Sequence, residues 1–243
     1  IKSEREIELM AEAGKILERV HNELEKALHP GMSTKDIDTL GEKIIRSYGC
    51  IPSFLNYNGY PASICVSVNQ EVVHGIPDKH RIIHEGDIVS LDAGVIYKGY
   101  HSDAARTHAV GEVSEEAKKL IQVTKECFFE GIKYAKAGNH LFDISGAIGR
   151  YAEERGYGVV RDLCGHGIGT ALHEAPEIPN YEVGRKGVKL RPGMTLAIEP
   201  MINIGTYEVD WLDDDWTVVT RDGSLSAHYE NTILITEGEP RIL

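Results

Sequence analysis

The sequence lacks the cysteine patterns that mark disulfide frameworks and zinc ribbons. Its four cysteines are scattered over 243 residues, and no Cys-x-x-Cys pair occurs among them. A disulfide-stapled scaffold and a zinc ribbon are therefore both excluded. Isolated cysteines of this kind are most often small buried hydrophobic residues, so we expect a protein of the reducing cytoplasm.

Long apolar runs and basic blocks are also missing. No stretch approaches the roughly 18 to 20 apolar residues of a membrane helix, and the first residues do not resemble a signal peptide. The formal net charge is −12, from 26 basic and 38 acidic residues. We therefore expect no direct DNA binding and no membrane binding, while a local basic patch for docking stays an open question.

The sequence does contain a duplicated arrangement of histidines and carboxylates. In each half a His-Gly pair precedes an acid that lies six residues after a glycine: His74 then Asp92, and His166 then Glu199. Each half also has a second acid eight residues before a Gly-Glu pair; these acids are Asp103 and Glu230. Two such half-sites facing each other would form a pocket for two divalent cations, which indicates an enzyme.

The order of predicted elements is duplicated as well. Helical spacing of apolar residues predicts helices over about 4–28, 33–48, 114–136 and 141–155, the first with a Ser3–Glu6 capping box. Strands are predicted over 63–68, 87–97, 100–110, 159–163, 195–203, 217–220 and 226–236, with hairpin turns at Lys98-Gly99 and Asp222-Gly223. The fold class is therefore α+β. We expect one catalytic domain, 1–243, built from pseudo-symmetric helix–helix–sheet halves of about 1–112 and 113–243.

The turn at Lys98-Gly99 determines where the first two acids lie. Counting back from it puts Asp92 opposite Ala105, so that Asp103 is its diagonal neighbour on the same face, roughly 7–8 Å away. Two buried carboxylates at this distance would raise each other's pKa, whereas a pair of divalent cations would neutralise them. Oxygen ligands with an imidazole suit Mn(II), Fe(II) or Co(II) at least as well as Zn(II), so the identity of the metal stays open.

Each of these residues taken alone has a plainer explanation. A lone aspartate in a strand is more often a turn or edge residue, and most of the 11 histidines, including His228, are expected to be surface or satisfied side chains. The metal prediction therefore depends on the whole duplicated set.

Seven motifs together resemble a known family. They are Val73-His74-Gly75-Ile76-Pro77, Ser90-Leu91-Asp92-Ala93-Gly94, Ser102-Asp103-Ala104-Ala105-Arg106-Thr107, Gly165-His166-Gly167-Ile168-Gly169, Leu172-His173-Glu174-Ala175-Pro176, Ala197-Ile198-Glu199-Pro200 and Ala227-His228-Tyr229-Glu230-Asn231-Thr232. Along nearly its whole length the chain resembles the methionine aminopeptidases of type I. The resemblance implies a pita-bread fold around a central antiparallel sheet, with a dinuclear metal site.

The resemblance also implies roles for individual residues. The implied metal ligands are Asp92, Asp103, His166, Glu199 and Glu230, of which Asp103 and Glu230 would bridge the two ions. His74 and His173 match histidines that handle substrate. The implied methionine pocket is Tyr57, Tyr60, Cys65 and Trp216, with Phe54 and Leu172 at positions that vary among relatives. Asn69 and Ser226 resemble contributors to a monovalent-cation site.

The implied reaction removes the N-terminal methionine from peptides and nascent proteins whose second residue is small. Two divalent ions (Co, Mn, Fe or Zn) would activate a water or hydroxide as the nucleophile. Glu199 is expected to move its proton, His173 to stabilise the carbonyl oxygen, and His74 to contact the scissile amide. The expected partners are polypeptide N-termini, the expected state is a monomer, and a ribosome contact stays open.

Two other functions remain as alternatives. A proline-directed peptidase of the same fold would share the ligand set, but the 73 residues before His74 leave no room for the extra N-terminal domain of those enzymes. The segment from Glu199 to Glu230 also lacks the helical insertion of type II enzymes, so a short, bacterial-style form is expected. A pita-bread binding protein without catalysis is disfavoured because the ligand set is intact.

Overall fold

Four helices lie behind the sheets of the structure, a computed structural model that describes residues 1–243. They are α1 (Glu4–Ala27), α2 (Thr34–Ser47), α3 (Glu115–Ile132) and α4 (Leu141–Glu153). The capping box predicted for α1 is confirmed, because Ser3 Oγ accepts from the Glu6 amide and Glu6 Oε2 accepts from the Ser3 amide. The third helix was predicted to reach Lys136, which is wrong. It ends at Ile132, after which the amides of Tyr134 and Ala135 donate to the Gly131 and Ile132 carbonyls in tight turns, at 3.1 and 3.0 Å.

Fifteen short and long strands form the sheets. They are β1 (Ile51–Pro52), β2 (Ile64–Val68), β3 (Glu71–Val73), β4 (Ile88–Tyr97), β5 (Tyr100–Ala109), β6 (Gly158–Val159), β7 (Gly165–Gly167), β8 (Glu174–Ile178), β9 (Thr195–Ile198), β10 (Met201–Asn203), β11 (Val209–Trp211), β12 (Val218–Thr220), β13 (Ser226–His228), β14 (Asn231–Leu234) and β15 (Arg241–Ile242). Strands β1, β2, β4 and β5 form one antiparallel sheet, and the order β15-β14-β9-β7-β8 forms another. Two three-stranded sheets, β13-β10-β6 and β11-β12-β3, complete the set.

The hairpin of β4 and β5 is built as the sequence predicts. Both turn residues, Lys98 and Gly99, have positive φ values of 47° and 86°. This is the conformation that a two-residue hairpin turn needs. Asp92 pairs with Ala105, and Asp103 pairs with Gly94, so the predicted register is confirmed.

Two long strands predicted for the second half are each broken in the structure. Residues 195–203 form β9 and β10, separated by Glu199-Pro200. Residues 226–234 form β13 and β14, separated by Tyr229-Glu230, so the second predicted strand also ends two residues early. Pro200 has no amide hydrogen to continue a ladder, and the strands on either side of each break join different sheets.

Two further strand predictions need correction. The expected strand over 159–163 is reduced to β6, which covers two residues. The expected hairpin at Asp222-Gly223 does not form, because β12 pairs with β11 and β3 while β13 pairs with β10. The chain does turn there, since the Gly223 amide donates to the Thr220 carbonyl at 3.3 Å.

Each half has its own apolar core between helices and sheet. In the first half α1 and α2 pack on β2, β4 and β5, and in the second α3 and α4 pack on β9, β10, β13 and β14. The halves meet where Ala105 of β5 and Glu230 exchange both backbone hydrogen bonds, at 3.2 and 3.0 Å. That contact brings the predicted acids of both halves to one place. None of the four helices combines the length and the apolar character that crossing a membrane requires.

Candidate metal centre and substrate pocket

The predicted metal ligands converge from five segments of the two halves. Asp92 and Asp103 come from the uninterrupted strands β4 and β5, whereas Glu199 and Glu230 occupy the two breaks between strands. His166 is the middle residue of β7, between β8 and β9. All five side chains are buried or nearly so.

The glycines on both sides of His166 explain how β7 fits there. A Cβ atom on Gly165 would lie 2.4 Å from the Ala197 carbonyl oxygen, and one on Gly167 would lie 2.3 Å from that of Ala175. Neither distance is compatible with a side chain, so only glycine allows β7 to approach both neighbouring strands. The Gly-His-Gly sequence therefore holds the His166 ring against the acids.

His166 faces three of the four carboxylates. Its Nε2 lies 3.4 Å from Glu199 Oε1, 3.5 Å from Asp103 Oδ2 and 4.0 Å from Glu230 Oε1. Its Nδ1 faces the Gly167 carbonyl oxygen at 2.8 Å. Such a carbonyl contact fixes the ring orientation of metal-binding histidines by holding the Nδ1 proton, which leaves Nε2 for an ion.

Several buried carboxylate oxygens of the site have no hydrogen-bond partner. Asp92 Oδ1, Asp103 Oδ1 and both oxygens of Glu230 are buried without a hydrogen-bond partner. Burial, with the charges of Asp103 and Glu199, raises the pKa of Asp92 well above its usual value, and burial with Asp103 does the same for Glu230. Burial alone would lower the pKa of His166, but Asp103 and Glu199 outweigh it and raise that pKa to about 9. Buried oxygens in this state match the donor set that divalent cations require, so the residues fit a metal centre.

The two predicted substrate histidines border the same cavity. His74 follows β3 with a left-handed φ of 60°, which a histidine rarely adopts, and it turns the ring towards the cavity. Burial lowers its pKa to about 4, with His228 contributing. Burial, with the nearby His166, also lowers the pKa of His173. Both rings are therefore neutral near pH 7, and each has one N–H to donate.

An apolar pocket opens beside the acids. The cavity has a volume of about 350 Å³. The predicted residues that line it are Tyr57, Tyr60, Cys65, His74, Asp92, Asp103, His166, His173, Glu199 and Trp216, together with the variable positions Phe54 and Leu172. Glu230 is 1 % exposed and lies beneath the cavity, within reach of the His166 and Asp103 donor atoms.

Aromatic rings shape the pocket. The Tyr60 and Trp216 rings meet edge to face at 5.2 Å between centroids. Trp216 is held by Asp214, whose Oδ1 accepts from the amides of Trp216 and Thr217 at 2.9 and 2.8 Å. The Tyr57 hydroxyl lies 2.8 Å from His173 Nδ1, so one aromatic residue contacts both the pocket and a substrate histidine. Burial raises the pKa of the Cys65 thiol, which keeps this wall of the pocket uncharged.

Several supporting residues were not singled out from the sequence. Arg106 donates to the Glu230 carbonyl at 2.6 Å and to Asn231 Oδ1 at 2.6 Å. Thr232 Oγ1 both accepts from the Asp103 amide and donates to its carbonyl, at 3.1 Å each. These residues lie inside the quoted motifs, but their contacts cross between the halves, so spacing along the chain could not identify them. His228, for which the sequence predicts no special role, lies beside the predicted metal ligands, with its Nε2 3.3 Å from Glu199 Oε2.

The comparison with known proteins agrees with this geometry. The sequence profile of metallopeptidase family M24 matches residues 8–237. The chain belongs to metallopeptidase family M24. The methionine aminopeptidase of Clostridium acetobutylicum is 59% identical over 243 residues, which are 100% of this chain and 97% of that protein.

Comparison with solved structures separates the alternatives further. The crystal structure of methionine aminopeptidase from Thermotoga maritima has a TM-score of 0.97 and 48% identity, covering 100% of this chain and 97% of that one. The Xaa-Pro dipeptidase from Bacillus anthracis has a TM-score of 0.79 and 28% identity, and this chain covers 61% of it. The predicted pita-bread fold and the resemblance to methionine aminopeptidases are confirmed, and this M24 chain is an enzyme of the metallo-aminopeptidase class.

Proposed function

We propose that this chain removes N-terminal methionine from peptides and nascent proteins whose second residue is small. We further propose that Asp92, Asp103, His166, Glu199 and Glu230 would hold two divalent cations, with Asp103 and Glu230 shared between them. The observation that carries the proposal is the set of buried, unpartnered carboxylate oxygens at the floor of an aromatic pocket. We propose that 1–243 is one catalytic domain, because the ligands come from both halves.

Two divalent cations would lower the pKa of a water towards ~7 and polarise the scissile carbonyl. Glu199 borders both the cavity and His166, so its carboxylate can accept the proton of the attacking water and pass it to the leaving amine. When the Tyr57 hydroxyl donates to Nδ1 of His173, the ring carries its proton on Nε2 and can donate it to the carbonyl oxygen as charge develops. His74, whose ring lies edge to face with Trp216 at 6.3 Å between centroids, would orient the scissile amide.

The pocket explains a preference for methionine. The thioether is unbranched and polarisable, and contacts between sulfur and the edges of Tyr60 and Trp216 would each contribute ~0.3–1.5 kcal/mol. Leucine should bind less well, by about 1–3 kcal/mol, which is the usual discrimination between apolar side chains. A large second residue would displace the scissile carbonyl on the His74 side, and a shift of ~1 Å can cost about 10²-fold in rate.

One set of assays tests the proposal. Met-Ala-Ser, Met-Lys-Ser and Ala-Pro peptides are each incubated with enzyme and Mn(II), Co(II) or a chelator, and released amino acids are quantified. We expect methionine release from Met-Ala-Ser to exceed that from Met-Lys-Ser by about 10²-fold in kcat/KM and to stop with chelator. Faster cleavage of the Ala-Pro peptide would favour a proline-directed peptidase instead.

The same proposal covers the identity of the ions, the oligomeric state of the protein and its cellular compartment. Mn, Fe, Co and Zn all accept mixed carboxylate and imidazole ligands, so metal analysis of protein purified without added metal decides among them. A monovalent cation at Asn69 and Ser226 would be detected by the dependence of activity on K⁺ or Na⁺. All four cysteines are free, which supports a reducing cytoplasm. Light scattering would test the expected monomer.

A further inference from the structure

One buried histidine beside the predicted metal ligands has no role in the proposed hydrolysis. His228 ends β13, two residues before Glu230, and is 1 % exposed. Its backbone is fixed by Thr107 Oγ1, which accepts from the His228 amide and donates to the His228 carbonyl, both at 2.9 Å. Neither ring nitrogen has a hydrogen-bond partner. Buried polar side chains are nearly always satisfied, so an imidazole left this way indicates a missing partner.

The ring faces the carboxylates. Nε2 of His228 lies 3.3 Å from Glu199 Oε2, although the direction of approach does not make a hydrogen bond. The other oxygen of the same carboxylate, Oε1, lies 3.4 Å from His166 Nε2. Glu199 is thus placed between two imidazoles, one on each side.

The donor atoms divide into two similar groups. Asp103, His166 and Glu230 offer donor atoms that all lie within 4.8 Å of one another, and so do Asp92, His228 and Glu230. Each group contains one imidazole and two carboxylates, and Glu230 belongs to both. This is the symmetric arrangement suggested by the duplicated sequence pattern, except that the second imidazole comes from His228 rather than from His74.

We propose that His228 is a ring-nitrogen ligand of the cation on the Asp92 side, so that each of the two ions is held by one imidazole. This inference rests on the dinuclear centre of the proposed function. If His228 only positioned Glu199, its Nε2 would make a hydrogen bond with Glu199 Oε2. The direction of approach between these two atoms does not allow one. The consequence concerns metal choice, because imidazole favours Fe, Co and Zn whereas an all-carboxylate site favours Mg and Mn.

Pulsed electron paramagnetic resonance of Mn(II)-loaded protein tests the ligand directly, because coordinated imidazole nitrogen couples to the Mn(II) spin. The variants are His166→Gln, His228→Gln and the double variant. We expect nitrogen coupling to persist in His166→Gln and to vanish in the double variant. Absence of nitrogen coupling in His166→Gln, with Mn(II) still bound, would overturn the assignment of His228.

Calorimetric titration with Mn(II) gives a second readout that does not depend on activity. We expect His228→Gln to weaken one of two sites by more than about 100-fold, above the 10- to 100-fold range for residues that only orient ligands. A loss within that range would instead make His228 a positioning residue. His21→Gln is the matched control, because His21 is a buried histidine whose ring contacts the Ala104 carbonyl at 2.8 Å. It should bind two ions as the unaltered protein does.

The outcomes separate this inference from the proposed function. If the unaltered protein binds fewer than two ions, the dinuclear centre itself fails. If it binds two and His228→Gln binds both with unchanged affinity, only the assignment of His228 fails. Circular dichroism confirms that each variant is folded, and His228→Asn replaces His228→Gln if the latter is not.

Discussion

The two halves supply the same chemistry from different kinds of backbone. In the first half the acids project from a continuous hairpin, in which each of β4 and β5 is 10 residues long. In the second half the acids lie in breaks between strands: Glu199 between β9 and β10, and Glu230 between β13 and β14. A continuous strand places its side chains by register alone, whereas an interrupted strand needs other contacts. For Glu230 these are the pair of hydrogen bonds with Ala105 and the Arg106 guanidinium on its carbonyl.

The largest expected effect comes from removing one bridging charge from either half. A neutral amide cannot neutralise two cations, so Asp103→Asn and Glu230→Gln should each reduce the bound metal from two ions to one or none and abolish hydrolysis. Metal content after dialysis, together with release of methionine from Met-Ala-Ser, measures both effects.

A buried acid outside the centre provides the control for that experiment. Asp38 is 1 % exposed, accepts from the amides of Ser63 and Ile64 and pairs with Lys35 at 2.7 Å. Asp38→Asn should lower stability but leave two ions bound. Normal metal content in Asp103→Asn or Glu230→Gln would show that the acid in question is not a ligand.

The next effect separates the histidines of the second half. His173→Ala should lower kcat by ~10²- to 10³-fold, the range for losing one donor to a developing oxyanion. Its metal content should be unchanged, whereas His166→Ala should lose metal. Tyr57→Phe, which removes the hydroxyl beside His173 Nδ1 but keeps the ring, should cost less than His173→Ala. Loss of metal from His173→Ala would instead make His173 a ligand.

The hairpin of the first half could be predicted from the sequence, whereas the strand interruptions of the second half were harder to predict. The register of Asp92 and Asp103 followed from one two-residue turn, because pairing in a hairpin is local. The break at Glu199 has a local signal in Pro200, which cannot donate to a ladder. The break at Tyr229 has none, because the strands on either side of it change partners over a long sequence separation. For the same reason His228 was overlooked: its approach to Glu199 joins residues 29 apart that no turn connects.

Removing the metal should make stability depend on pH with a predictable sign. Without ions the pKa values of Asp92 and Glu230 are raised above their unfolded values of about 4, and that of His166 is raised to about 9. A raised pKa contributes stability at low pH that is lost as pH rises through the folded value. The chelated protein should therefore lose this contribution between about pH 4 and pH 9.

Thermal unfolding at pH 5.5, 7 and 8, with chelator or with Mn(II), measures the effect. Mn(II) replaces the protons of the centre, so the gain in Tm on adding it should grow with pH. At 100 times Kd each site contributes about 2.7 kcal/mol, which corresponds to roughly 5–10 °C for a chain of this size. A gain that shrinks as pH rises would contradict the neutralisation argument.

The smallest effects are expected at two helix starts, one in each half, that do not line the cavity. Ser33 begins α2 with a complete capping box: its Oγ accepts from the Asp36 amide and Asp36 Oδ2 accepts from the Ser33 amide, both at 2.9 Å. Ser114 begins α3 with a single bond from the Ala117 amide at 3.1 Å. Replacing either serine by alanine should cost about 0.5–2 kcal/mol, as measured by urea unfolding. The greater loss is expected for Ser33→Ala, because Ser33 is buried and its capping box pairs two amides reciprocally.

Neither serine borders the cavity, so kcat/KM for Met-Ala-Ser and metal content should stay the same. A change in either quantity would mean that the helix starts, and not only the strands and their interruptions, set the geometry of the centre.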